Sequence, residues 1–103
     1  MPMKVPLGGK DTGPAPFEIL CSALGACTAI TLRMYAEREA WPLHGVSVDV
    51  RFSGTGKEGA IARVLSFEGE LSQEQRARLA DIAERTPVTL TLKNGVAITT
   101  TVA

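Results

Sequence analysis

The chain has 103 residues, 45% of them hydrophobic and 21% charged, with eleven basic and eleven acidic side chains that cancel. That is the size of one domain, 1–103, which buries only about two-thirds of its unfolded surface. No basic field is available for phosphate backbones or anionic lipids, so neither nucleic acid nor a membrane surface is an expected partner.

Residues 1–13, MPMKVPLGGKDTG, read as a loop or N-terminal tail. They hold no apolar run of signal-peptide length, which points to a cytoplasmic protein. Pro14 and Pro16 suit the opening of a helix, where a missing N–H costs nothing. From Phe17 to Ala40 only Gly25 interrupts helix-forming residues, and Leu20, Leu24, Cys27, Thr31 and Met34 follow a helical apolar rhythm. Ile19 to Leu32 is fourteen residues without a charge. This is too short for a bilayer and fits a buried core helix. Such a helix needs cover on nearly all sides. Charges return at Arg33, and Pro42 closes the segment.

The period then becomes two. Val46, Val48, Val50 and Phe52 alternate with polar residues, Gly54 to Gly59 turns the chain, and Ile61, Leu65 and Phe67 face inward from a returning strand. Ser72 and Gln75 form a capping-box pattern for a second helix to about Arg85, with Leu79, Ile82 and Ala83 inward. Beyond Pro87, Val88, Leu90 and Leu92 alternate, as do Val96, Ile98, Thr100 and Val102. With Asn94-Gly95 between them, local signals predict a second hairpin. The expected fold is α+β, a long helix packed on an antiparallel sheet. Its leftover apolar surface calls for a second copy of the chain, hence a homodimer.

Few residues offer chemistry. Cys21 and Cys27 stand about 9 Å apart along the helix and about 120° apart around it, beyond disulfide reach. For the same reason they cannot share a metal, and no metal site is expected. Glycine patterns match no nucleotide-binding loop, so no cofactor is expected. His44, the one histidine, lies in a loop with no triad partner at a recognisable spacing. An uncharged cysteine in mid-helix is ordinarily inert core. A reactive Cys27 needs a cation brought across space, from Arg51, Arg63 or a second chain.

The segment GPAPFEILCSALGACTAITLRMYAERE, 13–39, resembles the central helix of the OsmC/Ohr family of thiol-dependent hydroperoxide reductases. The likeness runs on through the hairpin into ELSQEQRARLADIAERTPV, 70–88. It implies an intertwined α+β homodimer with a long buried helix. It also implies a peroxidase for organic hydroperoxides in which Cys27 becomes a sulfenic acid. The family's resolving cysteine falls on Thr86 of Thr86-Pro87-Val88-Thr89, so an external thiol reductant would be needed. A catalytic glutamate of the hydroperoxidase branch falls on Phe17, with Glu18 one residue later and roughly 100° around the helix. The branch's activating arginine belongs to an N-terminal strand region for which this chain is too short. The resemblance also makes Pro87-Val88 a short turn of helix, against the second hairpin, and is slightly preferred there. Two functions remain in view. One is a one-cysteine peroxidase using Cys27 and Glu18. The other is a non-catalytic dimer of the same fold that binds a small apolar ligand or serves a structural role. A redox sensor linking two chains through Cys21 or Cys27 would need exposed thiols, against their apolar surroundings.

Overall fold

The computed structural model describes residues 16–103, and the reading of 1–13 as a tail lies outside them. The long helix, α1, runs Pro16–Arg38. It ends in a Schellman motif: Trp41 N–H donates to Ala36 C=O at 2.9 Å and Ala40 N–H to Glu37 C=O at 3.1 Å. Ala40 takes the left-handed conformation this ending requires, at φ 57°.

The buried face of α1 is Cys21, Leu24, Thr28, Leu32 and Ala36. That face is turned by roughly a quarter of a circle from the expected Leu20–Leu24–Cys27–Thr31–Met34 stripe. Met34 is 64% exposed, and Cys27 lies on the flank between the covered and the open sides. The expected stripe rested on helical spacing; the observed face sets the small Cys21, Thr28 and Ala36 beside Leu24 and Leu32. At Gly25 a Cβ would already touch Val50 Cγ2 at 3.5 Å.

The sheet of the described residues is one antiparallel hairpin. Strand β1, Gly45–Ser53, pairs with β2, Ala60–Glu68, across a short 3₁₀ turn at Gly56–Glu58. The register sets Val48 opposite Leu65, Val50 opposite Arg63 and Phe52 opposite Ile61. Gly69 leaves β2 at φ 135°, where a Cβ would lie 1.9 Å from Pro42 C=O. Only glycine fits there.

Helix α2, Gln73–Ala83, opens with the expected capping box, Ser72 and Gln75 each satisfying the other's backbone N–H. The core sits between α2, the hairpin and the C-terminal half of α1. Leu32, Leu79 and Ala83 are fully buried at its centre, ringed by Tyr35, Trp41, Val46, Leu65 and Phe67. Among the described residues one helix, α1, is by length and composition apolar enough to cross a membrane. Its Leu24–Leu32–Ala36 face is nevertheless packed within its own chain.

The second hairpin is replaced by helix. Helix α3 spans Pro87–Asn94. Thr86 Oγ1 accepts from Thr89 N–H as its cap, Pro87 fills the first turn, and Gly95 leaves the helix at φ 83° with its N–H on Thr91 C=O. Asn94-Gly95 is therefore a helix stop. Cap and tertiary contact outweigh the strand propensity of Val88, Leu90 and Leu92. The predicted final strand loses its mate with them, and residues 95–103 form no helix or strand, with Val96, Ile98 and Val102 exposed.

Candidate functional site

The densest polar cluster is built on Arg63. Its alternation with Ile61, Leu65 and Phe67 places it on the inward face of β2, and its side chain is only 10% exposed. A guanidinium there must spend its donors inside the protein. Nη1 donates to Thr28 Oγ1 and to Thr89 Oγ1, both at 3.0 Å. Nη2 donates to Ala83 C=O at 3.0 Å and to Glu84 Oε2 at 2.9 Å. Ala83 is the last residue of α2, so the cation closes that helix where carbonyls lack partners and the dipole is negative.

Three buried hydroxyls complete the cluster. Thr28 Oγ1 donates back to Leu24 C=O at 2.7 Å. Thr86 Oγ1 donates to Thr89 Oγ1 at 2.7 Å, which in turn donates to Ala83 C=O at 3.1 Å. No buried side-chain nitrogen or oxygen among the described residues lacks a partner. On the outer side Lys93 of α3 also donates to Glu84. The hydrogen bonds from the Lys93 ammonium, and after it from the Arg63 guanidinium, hold the Glu84 carboxyl below its usual range against the opposing effect of burial.

The predicted site residues fall around this cluster rather than in it. Cys27 precedes Thr28 in sequence but points to the helix flank, half-buried and free. Among the described residues no side chain hydrogen-bonds its Sγ: Arg63 is committed as above, and Arg51 pairs with Asp49 at 3.3 Å on the surface. Glu18 lies exposed in the first turn of α1, nine residues before Cys27. That is about 13 Å along the axis and on the opposite side of the helix, so one chain does not bring the two together. Glu18, Cys21 and Ser22 instead line a cavity of about 720 Å³ beneath Phe17 and Phe52. Cys21 is buried, as its apolar neighbours implied. His44 is exposed, and its backbone N–H donates to Glu68 C=O at 2.8 Å. The described residues contain no His/Cys/Asp/Glu group able to hold a metal.

Thr28, Glu84 and Lys93 went unnoticed in the sequence, and Thr89 was named only as the end of Thr86-Pro87-Val88-Thr89. A signal was present for two of them: an arginine inside the β2 alternation demands buried acceptors, and T-P-x-T is a capping sequence.

The family model for OsmC-like protein matches residues 9–101 of the chain. The chain belongs to the OsmC-like family. Solved structures agree on the fold. A putative osmotic stress induced and detoxification response protein from Psychrobacter arcticus superposes with TM-score 0.68 at 17% identity, over 82% of this chain and 64% of that one. An OsmC like protein from Mycoplasma pneumoniae gives 0.68 at 21%, over 81% and 64%. An organic hydroperoxide resistance protein OsmC of Legionella pneumophila, described as a predicted redox protein, gives 0.65 at 22%, over 84% and 67%. The OsmC-like chain thus spans about two-thirds of the length of these structures. Among curated proteins none is significantly similar in sequence.

Proposed function

We propose that this OsmC-like protein is a one-cysteine, thiol-dependent peroxidase for organic hydroperoxides. The observation that carries the reading is Cys27: a free thiol in the middle of α1, on the flank of the helix that its own sheet leaves open. In the proposed cycle the Cys27 thiolate attacks the terminal peroxide oxygen and the O–O bond breaks. Cys27 becomes a sulfenic acid, and the departing alkoxide takes a proton to leave as the alcohol. An external thiol condenses with the sulfenic acid and releases water. A second thiol then frees Cys27 and carries away the disulfide. Thr86 cannot take the resolving part, since a hydroxyl cannot form a disulfide with the sulfenic sulfur. Such a cycle belongs in a reducing compartment, the cytoplasm.

The apolar residues that α1 leaves open, with Ile30 59% and Met34 64% exposed, support a homodimer formed across that side. Within one chain Glu18 does not reach Cys27, so a part for it in the cycle would have to be supplied by another copy. Sedimentation at micromolar concentration tests the assembly: a Met34→Glu variant should run as a monomer where the parent runs as a dimer.

The decisive measurement is intact mass after brief exposure to cumene hydroperoxide with a sulfenic-acid trap. Trapping of one adduct per chain, lost in Cys27→Ser and kept in Cys21→Ser, supports the cycle. No adduct beyond the slow background of an unactivated thiol sinks it. One observation favours the second reading, a non-catalytic dimer that binds a small apolar ligand: the two candidate activators, Arg51 and Arg63, are engaged elsewhere, and among the described residues no side chain hydrogen-bonds Cys27.

A further inference from the structure

A second cavity, of about 560 Å³, lies on the other side of Phe52 and does not include Cys27. Its size falls within the range of about 300–1,000 Å³ typical of small-molecule sites. Leu20 and Leu24 of α1, Phe52 and Ile61 of the hairpin, and Leu92 of α3 give it apolar walls. Arg63, Glu84, Thr89 and Lys93 converge at one end. The cavity is therefore amphiphilic, with its polar groups gathered rather than scattered.

The charges at that end do not cancel. Arg63 and Lys93 supply two positive charges and Glu84 one negative, which leaves an excess of one positive charge. The two cations differ in freedom. Arg63 is fixed by Thr28, Thr89 and the Ala83 carbonyl, so it stays aimed whatever Glu84 does. Lys93 and Glu84 are each 55% exposed, and the Glu84 carboxylate can swing into water. Glu84 thus marks a position where a carboxylate satisfies both cations at once. A ligand carboxylate there would exchange one carboxylate for another while its body entered the apolar end. The receptor side is largely ordered beforehand, which lowers the entropic cost of binding.

We propose that this cavity binds a small amphiphilic carboxylate, its alkyl or aryl body against Leu24, Phe52 and Leu92 and its carboxylate on the Arg63–Lys93 pair in place of Glu84. An organic cation is excluded by the charge balance, and a neutral alcohol would leave the excess positive charge unanswered. The assignment goes beyond the thiol chemistry and is independent of it, because Cys27 does not line the cavity.

The test is isothermal titration calorimetry of the full chain with octanoate, 1-octanol and octylammonium, with backbone amide NMR shifts to place the ligand. Octanoate should bind one per chain, at least tenfold more tightly than octanol, with octylammonium not binding. The largest shifts should fall at Leu24, Phe52 and Leu92. Lys93→Met should weaken octanoate about tenfold and leave octanol unchanged. Glu84→Gln should tighten octanoate several-fold by removing the competing carboxylate. Cys27→Ser should change nothing, which separates this result from the fate of the peroxidase reading. Raising the salt from about 50 to 500 mM should weaken octanoate only, a check that needs no variant. Equal affinity for octanoate and octanol, shifts centred away from the cavity, or no binding of octanoate at all would overturn the proposal.

Discussion

Phe17, in the first turn of α1, stacks on Phe52 near the end of β1, with ring centroids 4.3 Å apart and planes 9° from parallel. Phe17 occupies the position where the family resemblance implies a catalytic glutamate. The position is thus used for packing: the stack pins the N-terminal half of α1 to the far end of the hairpin, away from the Leu32–Leu79 core. Phe17→Ala removes an offset aromatic pair whose outer ring is 47% exposed. A loss of about 1 kcal/mol is expected in urea unfolding. An unchanged midpoint would mean that the stack adds nothing to holding the helix start.

Arg63→Met deletes four donated hydrogen bonds while roughly keeping the volume of the side chain. The hydroxyls it leaves stay bonded, Thr28 to Leu24 C=O and Thr89 to Ala83 C=O, and no orphan charge remains buried. The cost should therefore stay below that of a broken buried pair, at about 2 kcal/mol by chemical denaturation. A variant as stable as the parent would show that an apolar side chain serves equally well there.

Glu84 makes stability depend on pH with a definite sign. Its folded carboxyl is held below the ordinary glutamate value by Lys93 and Arg63. The unfolded state therefore binds the proton more readily, and the contribution is fully present above about pH 4.3. It is lost as pH falls through the lowered folded value. Because Glu84 and Lys93 are half exposed, it amounts to about 0.5–1 kcal/mol. Urea midpoints of parent and Glu84→Gln should differ by a constant amount near neutral pH and converge toward pH 3. A gap that widened on acidification would contradict the assignment.

Ala40 holds a left-handed conformation that costs an L residue with a Cβ about 1 kcal/mol. Glycine carries no such penalty and loses little else at an exposed position past the helix end. Ala40→Gly should raise the thermal midpoint, by about 0.5 kcal/mol in equivalent stability. A lower midpoint would mean that the added freedom of the unfolded glycine outweighs the relief.

The hairpin, α1 and α2 were legible because each rests on local signals that tertiary contacts reinforce: strict alternation in 46–52, an uncharged run closed by Pro42, and the Ser72–Gln75 box. The orientation of α1 was not legible. A helix with apolar residues almost all round has no preferred side, and small side chains such as Thr28 and Ala36 decide where the sheet can approach. Helix α3 was legible only through the family resemblance at Pro87-Val88, since the alternation of Val88, Leu90 and Leu92 suits a strand until Thr86 caps the chain. For the candidate site, Cys27 could be singled out by resemblance, but its isolation from Arg63 could not, since that depends on a roughly 100° step of the helix between Cys27 and Thr28.

The Arg63 guanidinium touches residues from α1, the end of α2, the residue after it and α3, while its backbone belongs to the hairpin. Opening the α2–α3 joint breaks bonds to a guanidinium that is also anchored to the middle of α1. Amide protons at Thr89 and Leu90 should therefore exchange with solvent deuterium more slowly in the parent than in Arg63→Met, although they lie only a few residues from the exposed segment 95–103. A segment whose local pattern suits a strand would then owe its slow labelling to one side chain of the hairpin.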